Sequence, residues 1–123
     1  MTERGADVNV VILQGTLSRP PTARDLPSGD QMVAFEVTTR PAEGPAETVP
    51  VCWLDPPRRA LAFVAGAEVV VTGRVRRRFF RAGGATASRT EVVADTVLPA
   101  GHSARVATAL GRARNAIDPD ATA

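Results

Sequence analysis

Residues able to do chemistry concentrate in the run Val69 to Arg81, Val-Val-Val-Thr-Gly-Arg-Val-Arg-Arg-Arg-Phe-Phe-Arg. A strand alternates its two faces, so an extended run sorts these side chains into two sets. Val69, Val71 and Val75 fall on one face; Thr72, Arg74, Arg76, Arg78 and Phe80 fall on the other. Guanidinium groups neutralise phosphates and release counterions, and an aromatic face stacks on a base of any identity. A cationic stripe ending in an aromatic ring therefore suits a nucleic-acid strand. The same alternation also describes a solvated edge strand whose charges deter aggregation, but three arginines and a phenylalanine on one face favour binding. Phe79 shares the parity of Val75 and is assigned to the core, which leaves Phe80 as the ring to meet a base. Arg77 interrupts the apolar face where the strand should leave the core. Arg19, Arg24 and Arg40 lie near strand ends or turns, where phosphate contact is feasible.

Parts for catalysis are lacking. His102 is the single histidine and Cys52 the single cysteine, far apart in sequence. One cysteine rules out an internal disulfide and a multi-thiolate zinc site. Cys52 is read as a small buried hydrophobe, and His102 as a residue at the start of a helix. The acidic residues are scattered, with no pair placed as general acid and base. Gly83-Gly84 is too short for a phosphate-binding loop and is assigned to a flexible connection, Ala82 to Ser88. The chain is accordingly expected to be no enzyme, with no metal and no cofactor.

The elements that must carry these residues follow from pattern and punctuation. Val8 to Leu17 is mostly apolar and β-branched, and Ser18-Arg-Pro-Pro21 stops it, because proline cannot donate to a sheet ladder. Arg24 to Asp30 has turn chemistry. Gln31 to Arg40 then alternates with Val33, Phe35, Val37 and Thr39 on one side, and Thr48 to Leu54 does so with Val49, Val51 and Trp53. Trp53 is therefore placed in the core. From Pro56 the period changes, with Ala60, Phe63 and Val64 on one helical face and Gly66 to stop it. Glu68 to Arg81 makes a fourth strand and Arg89 to Leu98 a fifth.

The predicted fold is all-β: a five-stranded Greek-key barrel of the OB class, with a short helix between the third and fourth strands. After Pro99, Val106, Ala109, Leu110, Ala113 and Ile117 recur at helical spacing among Arg105, Arg112 and Arg114, which predicts a C-terminal helix. Its apolar face could close the barrel, dock on another subunit or fray. The division expected is one OB domain over residues 1–99 and a helical extension over 100–123.

Composition agrees with one modest core: 123 residues, 44% hydrophobic, formal net charge +2. All fifteen basic residues are arginine, the side chain whose planar fork matches phosphate. The start, Met1-Thr-Glu-Arg-Gly-Ala-Asp7, has no basic region followed by an apolar run, and no stretch is long and apolar enough for a membrane span. A soluble, cytoplasmic location with the nucleoid, away from membranes, is expected.

These residues resemble the bacterial single-stranded DNA-binding protein family. Asn9-Val-Val-Ile-Leu-Gln-Gly-Thr-Leu17 is similar to its opening strand, Leu26-Pro-Ser-Gly-Asp30 to its first hairpin turn, Gly66 to Phe80 to its fourth strand with the lead-in, and Thr90-Glu-Val-Val-Ala94 to its fifth. The resemblance implies a homotetramer of OB domains that wraps single-stranded DNA in replication, recombination or repair. It places Phe80 at a stacking position usually held by tryptophan and Arg76 and Arg78 at basic positions. The chain departs from the family at Glu43, where an aromatic is common, and at Thr48, where tryptophan is usual. It also departs in ending Asp118-Pro-Asp-Ala-Thr-Ala123, without a long tail and acidic, hydrophobic tip. Recruitment of partner enzymes through such a tip is not expected. The site expected is Arg40, Arg74, Arg76, Arg78 and Phe80, with Arg19 and Arg24. An OB module that binds protein instead, or an RNA binder, are the alternative functions.

Overall fold

A computed structural model describes residues 7–118; the expectations about the first six residues and the last five lie outside them. The chain runs through β1 (Val11–Leu17), β2 (Thr22–Asp25), β3 (Gln31–Thr39), β4 (Glu47–Leu54), a 3-10 turn (Arg58–Ala62), β5 (Glu68–Ala82), β6 (Ala85–Pro99) and α1 (Ser103–Ile117). All-β architecture with one terminal helix is as the pattern predicts, but the described residues form six strands rather than five. Pro20 and Pro21 interrupt the sheet without ending it. The chain resumes as β2 and pairs antiparallel with β3, Arg24 opposite Met32, through a turn in which Gly29 takes a positive φ.

Five strands close on themselves. β1 pairs with β5 over Val11 to Thr16, then crosses to β3 at Thr16 and Leu17; β3 pairs with β4, and β5 with β6, all antiparallel. The ring is completed by a parallel contact of β4 with β6 at Val51–Val92 and Cys52–Val93. Closure needs sharp bends, and two glycines allow them. A Cβ on Gly15 would collide with the carbonyl oxygen of Thr38, and one on Gly73 with that of Val93. Gly73 lies at a bulge: Thr72 opposes Thr96 but Gly73 opposes Ala94, so Asp95 has no partner across the ladder.

Inside the ring, the alternating residues meet as expected. Val33, Phe35, Val37, Val51, Trp53, Val69, Val71, Val92 and Val97 are buried in one cluster. Phe35 sits between Trp53 (ring centroids 6.3 Å) and Phe63 (6.0 Å, edge to face). The predicted short helix is only a 3-10 turn: it buries Ala60 and brings Phe63 to the core, but Val64 is exposed, because the backbone is already extended at Phe63.

Outside the ring, α1 contacts β1, β5 and β6. It turns Ala109 inward with Val106, Leu110 and Ala113 half-buried, so the apolar stripe packs on this chain's own sheet. Val70, Thr72 and Leu98 are buried on that outer surface. Thr72 therefore does not belong to the solvent stripe to which parity assigned it; it pairs with the Thr96 hydroxyl at 2.7 Å.

Past Gly73, β5 pairs with β6 alone. The Asn9 side chain caps the end of the ladder on the β1 side, donating to the Val75 carbonyl at 2.7 Å and accepting from its N–H at 2.9 Å. Beyond it the two strands form a free ribbon. Its turn is Gly83-Gly84, both with positive φ, as a two-residue type I′ hairpin requires. Ala85 to Ser88 is thus strand, not flexible connection. With no ring inside it, the ribbon is wet on both faces, and Phe79 is 65% exposed rather than a core residue.

Gly73→Ala should lower stability by about 1–3 kcal/mol, the usual cost of forcing a methyl group into a filled space. Chemical denaturation tests this, with Gly84→Ala expected to act instead through its positive φ and to leave the core intact.

Candidate nucleic-acid interface

Hairpin register decides what the arginine stripe can do. The tight turn sets Arg78 opposite Arg89 and Arg76 opposite Glu91. All four share the face that carries Arg74 and Phe80, because directly opposed residues point the same way. Glu91 is 5% exposed and accepts from Arg76 Nε at 3.0 Å and Nη2 at 2.8 Å, with Arg78 Nε at 3.6 Å. Arg76 Nη2 also donates to Cys52 Sγ at 3.6 Å. Arg76 is therefore committed to a buried carboxylate and is an internal strut rather than a free phosphate ligand.

Cys52 is buried as expected, a free thiol on the same outer face. Burial pushes the thiol up from its ordinary value, and the charge of Glu91 adds to that, with Arg76 opposing. A thiol held protonated is a poor nucleophile.

Arg78 behaves differently from Arg76. Its guanidinium lies over the Phe80 ring, 5.2 Å from the centroid, and lines a groove of about 130 Å³. The groove is also lined by Arg19 ahead of β2, Arg24 of β2, Met32 and Ala34 of β3, Pro50 and Cys52 of β4, and Arg89 and Glu91 of β6. Arg19 is ion-paired with Glu36, Nε to Oε2 at 3.0 Å. Both carboxylates of the groove are thus already engaged, Glu36 by Arg19 and Glu91 by Arg76 and Arg78. Arg89, directly opposite Arg78 in the ladder, is left with no acidic partner among the described residues, and like charges so placed are unfavourable unless compensated.

Of the residues expected from sequence, the fold brings Arg19, Arg24 and Arg78 to this groove and sets Phe80 beside it, 36% exposed. Arg76 stands behind Glu91. Two are elsewhere. Arg40 is exposed beside Gln14, Thr16, Thr38 and Glu68. Arg74 lines a hollow beneath α1 with Asp95 and Arg112, since the helix crosses the outer sheet where the stripe begins. Sequence reasoning missed Arg89 and Glu91. Reading Gly83-Gly84 as a two-residue turn would have found both, because that turn alone fixes the register.

Trp53 is in the core and does not reach the groove; Arg59 covers it, 5.5 Å from the ring centroid, and donates to the Val97 carbonyl. His102 is the residue before α1, exposed, with no side-chain capping bond. Among the described residues, no three His, Cys, Asp or Glu side chains cluster so as to hold a metal ion, and no helix is long and apolar enough to cross a membrane. In comparisons with known proteins, no family model matches this chain and no curated protein matches it.

Substitution should separate the two central arginines. Arg76→Glu sets a second carboxylate against buried Glu91 and should cost about 3 kcal/mol, the low end for breaking a buried pair, because a third of the Arg76 side chain is exposed. Arg78→Ala should cost under about 1 kcal/mol, as for an exposed ion pair. Urea denaturation of the two variants gives both values.

Proposed function

We propose that this chain is a non-catalytic, largely sequence-independent binder of single-stranded DNA, built on an OB-type barrel. The observation that carries the reading is the groove in which Arg24, Arg78 and Arg89 converge while its two carboxylates are engaged by Arg19, Arg76 and Arg78, which leaves Arg24 and Arg89 without an acidic partner among the described residues. A phosphate backbone compensates Arg24 and Arg89, and Phe80 offers a face to one base. Arg78 covers one face of that ring by cation–π attraction, so the base stacks on the other.

Support for the OB assignment is topological. The ring order β1, β3, β4, β6, β5, with β4 and β6 parallel and a 3-10 turn before β5, supports reading it as a five-stranded Greek key closed on itself. In such folds the sheet face and the connecting hairpins hold oligonucleotides. The groove lies between β2–β3 and the β5–β6 ribbon, in agreement with that use. Discrimination against a duplex follows from the stacking mechanism, which needs an unpaired base.

Assembly as a homotetramer belongs to the same proposal, because one small groove makes few phosphate contacts and linked grooves raise the effective concentration. Light scattering of the free protein at micromolar concentration tests it: four times the chain mass is expected, and a monomer contradicts it.

Anisotropy titrations of labelled oligothymidylate, duplex DNA and RNA at several salt concentrations test the binding itself. Oligothymidylate should bind tightest. Replacing Arg24, Arg78 and Arg89 together by Ala should flatten the salt slope by about 2, at roughly 0.7 per phosphate contact on a single strand, with the melting temperature nearly unchanged. Tighter binding of RNA would reassign the ligand. No binding to any nucleic acid would favour a protein-binding module.

A further inference from the structure

The ribbon has a second face that the groove does not use. Val75, Arg77, Phe79 and Arg81 on β5 share it with Thr86, Ser88, Thr90 and Val92 on β6, by register and alternation. No acidic residue lies on it between Val75 and Val92, whereas the groove face carries Glu91. Phe79 is the most exposed aromatic ring among the described residues, at 65%. Arg77 is held over it, 5.5 Å from the ring centroid, and its Nε and Nη2 both donate to Ser88 Oγ, at 3.2 and 3.1 Å. Arg77 and Ser88 are both exposed and make no other side-chain hydrogen bond among the described residues. Arg81 follows two residues on, bonded only to the Gly84 carbonyl of its own turn at 3.4 Å.

We propose that this face is a second binding track for single-stranded nucleic acid, so that each protomer holds two separate strand segments, one on either side of the ribbon. The inference rests on the binding function proposed above. Its basis is charge and shape. A ring exposed on a charged ribbon has no core to bury it, an oriented guanidinium and a hydroxyl beside it can take a phosphate, and the absence of acid makes the face attractive to a polyanion. Phe79 supplies the stacking surface, Arg77 and Ser88 the adjacent phosphate contact, and Arg81 a second one toward the turn. A backbone layer separates Phe79 from Phe80, so a short strand on one face cannot also stack on the other.

The test counts oligonucleotides per protomer, so that assembly does not enter the result. An oligothymidylate of about four nucleotides, the lower limit for one OB fold, is titrated into the whole protein by equilibrium dialysis. Two per protomer are expected for the natural sequence. One is expected for Arg77→Ala with Phe79→Ala and one for Arg78→Ala with Phe80→Ala, each with a near-normal melting temperature. A single oligonucleotide on the natural sequence would overturn the second track and leave the groove standing. Two that persist in the Arg77/Phe79 variant would place the second site elsewhere and equally overturn it. A change in assembly mass in that variant, with the count unaltered, would make the face a protein contact. No oligonucleotide bound at all would remove both proposals.

Discussion

Closing five strands into a ring forces backbone against backbone at two points, and these contacts set the geometry of everything else. At Gly15 the first strand crosses from β5 to β3 under the Thr38 carbonyl; at Gly73 the long fifth strand bends beneath Val93, with Asp95 bulged out of the ladder. Side chains at either point would hold the strands apart and leave the core open. The bend at Gly73 also marks where β5 stops serving the core. Before it, Val69 and Val71 are fully buried; after it, the same strand runs on into water with only β6 beside it.

That continuation explains why arginine is concentrated there. A two-stranded ribbon without a hydrophobic face is not stable in isolation, so this one is anchored at its base. Asn9 extends the ladder by one side-chain amide at Val75, and the Arg76–Glu91 pair fastens the two strands together over Cys52. The buried carboxylate costs desolvation that Arg76 and Arg78 offset. In consequence Arg78 is oriented by Glu91 and the Phe80 ring, with Arg89 opposite it in the ladder. A cation oriented in this way, as Arg78 is, loses less entropy on meeting phosphate.

Much of this was legible in sequence where a residue's role depends on alternation alone. Val33, Phe35 and Val37, Val49, Val51 and Trp53, and the helical stripe from Val106 to Ala113 all point where periodicity places them, because each has a core or sheet to face. Alternation fails where that premise fails. Phe79 has the parity of a core residue but lies beyond the ring, and Thr72 has the parity of a surface residue but lies under α1. β2 was hidden by Pro20 and Pro21, which interrupt pairing without redirecting the chain. Groove membership was the hardest to read. Arg19, Arg24 and Arg78 were legible as candidates by type, but only register joins Arg89 to Arg78 and Glu91 to Arg76, and only tertiary folding removes Arg40 and Arg74 from the groove.

The central claim is that the groove and ribbon, rather than the helix or the β1 surface, receive a nucleic-acid strand. Amide hydrogen exchange with and without a saturating oligothymidylate examines it most directly, since it reads every segment at once and needs no substitution. Slower exchange is expected across Arg74 to Glu91 and from Arg19 to Met32, with α1 unchanged. Protection confined to α1 and β1, with the ribbon exchanging as freely as before, would contradict the account.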